Sequence, residues 1–132
     1  MTIRLLLALL GAAQATNGLA MLAAPVGWYA AMPGVAMTGP LNSHFVRDIG
    51  LIFLASGAAL MLGARKGRDA AVLAAAGAAW PAMHGLFHVY EWIAHGFPAV
   101  PATAVTEAVG VVLVAAFGGA LAWFRMKGEA KY

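Results

Sequence analysis

Hydrophobic residues run almost unbroken through four stretches, and the breaks between them are rich in proline, glycine or basic residues. The runs are residues 3–24, 44–64, 70–95 and 102–124. Each is close to the roughly 20 residues that a helix needs to cross hydrocarbon about 30 Å thick. The pattern predicts an all-α chain, an integral membrane four-helix bundle, with residues 1–132 forming a single domain.

The first run begins like a secretory signal, with Arg4, the apolar Leu5 to Leu10 and a cleavage-like Ala13-Gln14-Ala15. The apolar run continues past that motif to Ala24, which favours a retained helix. The break from Pro25 to Ser43 carries Pro25, Pro33 and Pro40 with Gly27, Gly34 and Gly39, so it is not one helix. Trp28, Tyr29, Met32 and Met37 suit it to the headgroup level, as an interfacial loop rather than a cap over the helix ends. Asp69 is the expected N-cap of the third span, and Pro81 is expected to bend that span one turn before His84. Small residues at positions 55–59 of the second span and in the Ala70–Ala79 segment permit close helix approach.

The third span breaks its own pattern. His84, His88, Glu91 and His95 are spaced four, three and four apart, so they line one face of an otherwise apolar helix. Ionisable groups inside a membrane are costly and mark a functional site by default. Other spans add polar residues at a similar depth, counted at about 1.5 Å per residue. These are Gln14 and Asn17, then His44, Arg47 and Asp48, then Thr106 and Glu107. The outer half of all four spans is therefore expected to share one polar layer.

Composition narrows the classes. Only 10% of residues are charged and 63% are hydrophobic, against about 25% charged in soluble domains. The absence of cysteine removes disulfides and thiolate ligands. The net charge of +3 is carried by basic residues flanking apolar segments, which argues against nucleic-acid binding. Arg4, Arg65, Lys66, Arg68, Arg125, Lys127 and Lys131 fall on one side of a four-span chain. The positive-inside rule makes that side cytoplasmic, so both termini are expected inside.

The layer holds three carboxylates, Asp48, Glu91 and Glu107, against one permanent cation, Arg47, a net charge of −2 with the histidines neutral. Protonated histidines, protonated carboxylates or a divalent cation can remove that imbalance. Imidazole and carboxylate together suit zinc, iron or copper(II), with His44, His84, His88, Glu91 and His95 as ligands and Asn17, Arg47, Asp48 and Glu107 around the cofactor. A structural alternative pairs Arg47 with Glu91 or Glu107 and uses the layer to pin the helices. A third reading is a lipid- or quinone-binding enzyme or transporter. Haem needs two axial imidazoles across a wide gap, which an alanine-rich bundle disfavours. Thr103, Thr106 and Ser43 lack a base for nucleophilic catalysis.

Asn42-Ser43-His44-Phe45-Val46-Arg47-Asp48-Ile49-Gly50 opens the second span after a long connector. With four short spans, this layout resembles the DoxX-like group of small bacterial membrane proteins. The better-known DoxX branch is associated with quinone-linked sulfur oxidation as a membrane subunit. The resemblance implies a four-helix bundle and a redox-associated role, and it carries over no catalytic residue. Membrane-protein partners or a homo-oligomer would suit the small-residue faces.

Overall fold

The computed structural model describes residues 3–129, and these contain helices and no strand. Helix α1 is Ile3–Ala23, α2 Pro25–Ala31, α3 Ser43–Gly63 and α4 Arg68–His95. The last long helix begins as α5 (Pro101–Val105), widens into a π-helix over Thr106–Leu113, and ends as α6 (Val114–Glu129). Four helices are long and apolar enough to cross a membrane: Ile3–Ala23, Ser43–Gly63, Arg68–His95 and Pro101–Gly128. α1 packs on α3, α3 on α4, and α4 on α6 and the π-helix, while α6 returns to α1.

The packing is inverted relative to a water-soluble protein. Large side chains such as Leu9, Leu19, Leu51, Leu86, Phe87 and Ile93 are exposed. Small ones face the neighbouring helices: Gly11, Ala15 and Gly18 of α1, Gly50 and Gly57 of α3, and Ala71, Ala74 and Gly77 of α4. Lipid solvates the large residues as well as a protein core would, so contact between helices comes from close backbone approach. At the α1–α3 crossing a Cβ on Gly57 would stand 2.5 Å from both the Ala15 nitrogen and the Gly11 carbonyl oxygen. One on Gly18 would stand 2.5 Å from the Gly50 carbonyl oxygen. Leu7, Leu60 and Leu121 fill what remains between the small residues.

Pro81 lies inside α4 and has no N–H, so the carbonyl four residues earlier, at Gly77, loses its helical donor. The Ser56 hydroxyl of α3 donates to that carbonyl at 2.7 Å. A hydroxyl from a neighbouring helix is the standard remedy where no water is available.

Arginines close the helix ends. Arg4 Nε donates to the carbonyl of Ala64, the residue that caps α3, at 2.6 Å. The buried Arg125 donates to the Arg65 carbonyl at 2.7 Å and to that of Gly67 at 3.4 Å. Arg47 Nε donates to the Leu22 carbonyl, in the last turn of α1, at 3.4 Å. Ala64 and Leu22 stand at helix C-termini, whose carbonyls carry the negative pole that draws cations, whereas Arg125 ties down the turn between α3 and α4.

Most helix boundaries fall within one or two residues of expectation, and the last helix runs further. α4 starts at Arg68 with Gly67 in the cap position, so Asp69 sits in the first turn, where its charge complements the helix dipole instead of capping it. α3 starts at Ser43, because the Asn42 side chain accepts the Phe45 N–H at 3.1 Å. α6 continues to Glu129 rather than ending at Phe124, since a helix need not stop where the apolar run does. Lys131, expected among the cytoplasmic basic residues, lies outside the described residues.

The connector does more than lie at an interface. Trp28 Nε1 donates to the Asn17 side-chain oxygen of α1 at 3.0 Å, and the Tyr29 hydroxyl donates to the Gly39 carbonyl. Gly34, at φ +89°, sits where a Cβ would be 2.6 Å from the Thr103 methyl group of α5. The segment therefore spans from α1 to the start of the fourth long helix.

Candidate functional site

α4 presents its polar row along the half that follows Pro81. His84 and His88 are half-buried, and side-chain exposure then climbs from 21% at His88 to 39% at Glu91 and 70% at His95. The α4 helix of 28 residues is about 42 Å long at 1.5 Å per residue. That exceeds the hydrocarbon thickness of about 30 Å, and the polar row runs from the middle of the helix to its C-terminal end.

Glu107, from the π-helix, meets the row at its centre. Its Oε2 accepts the indole N–H of Trp92 at 2.7 Å and lies 3.3 Å from His88 Nδ1. Glu107 and His88 have equal side-chain exposure, 21% each. The Glu107 oxygen thus has one hydrogen-bond donor in the Trp92 indole and the His88 ring nitrogen close beside it. The π-helix holds Glu107 as its second residue. Segments of this wide helix cluster at functional sites in proteins generally.

Below His88 the site is aromatic. The His88 ring meets His84 edge-on, with centroids 4.8 Å apart. His84 stacks on Trp80 at 5.5 Å with the planes 8° apart. Phe53 of α3 presents its edge to both Trp80 and His84, at 6.3 and 6.4 Å. The Trp80 indole nitrogen is buried without a hydrogen-bond partner among the described residues. Gly85 allows α6 to approach, since a Cβ there would meet the Ala115 methyl at 2.7 Å. The row therefore stands at the junction of α3, α4 and the fourth long helix.

The other polar residues form separate pairs. His95 Nε2 lies 3.8 Å from Glu91 Oε2, one turn apart on α4. His44 Nε2 lies 3.4 Å from Asp48 Oδ2, one turn apart on α3, with His44 89% exposed. Asn17 is held by Trp28 and by a contact to the Met21 sulfur at 3.7 Å. Arg47 is exposed and binds the Leu22 carbonyl, not Glu91 or Glu107. No hydrogen bond or ion pair joins Asn17, Arg47, Asp48 or His44 to the His88–Glu107 pair among the described residues. In place of the pairing that the structural alternative gave Arg47, with Glu91 or Glu107, a helix C-terminus holds this cation.

Among the described residues no three His, Asp or Glu side chains are grouped as a metal site. The closest approach to one is His88 with Glu107, and His84 one turn below them. Three features escape a reading of the sequence: the hydrogen bond from Trp92, the stacked Trp80–His84 pair and the π-helix. Trp80, His84, His88 and Trp92 follow one another at steps of four, which is a usable signal, whereas nothing in residues 106–113 announces a π-helix. Comparison of the chain with protein-family models, with curated proteins and with solved structures finds no match.

Proposed function

We propose that the chain is a multi-pass protein of a bacterial inner membrane, a four-helix bundle with both termini cytoplasmic. We propose that it binds a small ring-bearing amphiphile of the quinone class at His88 and Glu107. The observation that carries this reading is the meeting of His88 Nδ1 and Trp92 Nε1 on one oxygen of Glu107. An imidazole beside a carboxylate can donate to a ligand carbonyl or accept from a ligand hydroxyl, depending on where the proton sits. Trp80, Phe53, Phe87 and Trp92 supply ring faces around it. The resemblance of residues 42–50 and of the layout to the DoxX-like group points the same way.

The test is mass spectrometry of the organic extract from protein purified in mild detergent. The wild type is expected to retain a quinone or similar prenylated ring, and Glu107→Gln with His88→Ala to lose it. Equal content in both preparations, or none in either, rejects the reading.

A second reading is a transition metal held by His84, His88 and Glu107. It is favoured by two imidazoles one turn apart beside a carboxylate already 3.3 Å from one of them. It requires His84 to leave its stack on Trp80.

A further inference from the structure

The end of the molecule that holds the start of α1 and the last turns of α6 gathers positive charge on a fixed scaffold. Arg65, Lys66 and Arg68 lie on or beside the turn between α3 and α4, and all are exposed. Arg4 reaches this turn from α1 and Arg125 from α6, and their bonds to the Ala64, Arg65 and Gly67 carbonyls hold it in place. Lys127 stands 4.8 Å over the Trp123 ring. Against these cations the first turn of α4 sets Asp69.

We propose that the α3–α4 turn is a binding site for the headgroup of an anionic phospholipid. Charge is the first argument: a cluster of Lys and Arg next to a membrane span attracts acidic headgroups. Apolar surface is the second. Leu5, Leu62, Trp123 and Phe124 are exposed near the cations, so acyl chains would find contact on the bilayer side of the headgroup. A free anion has no use for that surface. Fixation is the third: two arginines from separate helices hold the turn, so its charges are presented without first ordering a loop. The site lies at the opposite end of α4 from His95 and is independent of the ligand proposed for His88 and Glu107.

The full-length protein in neutral detergent is titrated with phosphatidylglycerol, with phosphatidylcholine or with inorganic phosphate, and lipid retention is read by native mass spectrometry alongside the melting temperature. Phosphatidylglycerol is expected to be retained and to raise the melting temperature, and the other two are not. Affinity is expected to fall about fivefold for each cation removed, so by roughly a hundredfold in Arg65→Ala with Lys66→Ala and Arg68→Ala. The charge-keeping variant Arg65→Lys with Arg68→Lys should bind like the wild type. Equal retention of the two lipids, stabilisation by phosphate alone, or full binding by the triple variant overturns the proposal.

Discussion

The Ser56 hydroxyl donates to the Gly77 carbonyl at 2.7 Å, and Gly77 is the residue whose helical donor Pro81 removes. Ser56→Ala is expected to cost about 0.6–1.7 kcal/mol, the range of hydrogen bonds between membrane helices. In a Pro81→Ala background the substituted residue regains a backbone N–H that can serve the same carbonyl, so the serine should matter much less. A double-mutant cycle followed by thermal or detergent unfolding measures this coupling. Equal losses in both backgrounds would mean that the hydroxyl does not stand in for the missing amide.

The glycines divide into two classes by what surrounds them. Gly57→Ala places a methyl against the backbone of Ala15 and Gly11, so α1 and α3 must move apart. The expected loss is about 1–3 kcal/mol. Gly119 has nothing within 4 Å of a built Cβ. Gly119→Ala should be neutral or should stabilise by up to about 1 kcal/mol, since glycine is the poorer helix former. Melting curves of the two variants in the same detergent should shift in opposite directions, or the second not at all.

Glu107 binds two partners, and two substitutions separate them. Glu107→Gln keeps an oxygen for the Trp92 N–H and discards the charge facing His88. Glu107→Leu discards both and leaves the indole N–H unpaired, at about 1–3 kcal/mol. Adding Trp92→Phe to each should erase most of the difference between them. Stability measured across these four proteins and the wild type distinguishes this from a Glu107 that interacts with neither residue.

Metal content separates the two readings of the site. Protein purified without chelator is expected to carry the same substoichiometric zinc, iron and copper in wild type and His88→Ala. One metal per chain in the wild type that vanishes in the variant would favour ligation by His84, His88 and Glu107 over an amphiphile site.

The four long helices are readable in the sequence because a membrane span requires an unbroken apolar run, and such runs are visible without knowing the fold. Depth is readable too, because each residue adds a fixed rise. Rotation about the helix axis is not. Asn17, Arg47 and Glu107 count to similar depths, yet Asn17 turns to Trp28, Arg47 to the end of α1, and Glu107 to His88. The shared layer thus resolves into separate pairs. The π-helix also hides in a stretch of ordinary valines, because hydrogen-bond register leaves no mark in side-chain type. The Ser56 contact is half legible: Pro81 announces an orphaned carbonyl at Gly77, but only the α3–α4 register shows which residue serves it.

Pro81 removes one backbone bond from an otherwise continuous α4 and divides it into an anchor and an arm. The alanine-rich anchor is locked by backbone contact, with Ala74 against Gly63 and Gly77 against Leu60. The arm beyond Pro81 carries every histidine of the helix, together with Glu91 and Trp92. Because the amide ladder lacks one bond between them and a hydroxyl of α3 serves the freed carbonyl, side chains on the arm can be exchanged while the foundation of the molecule stays as it is.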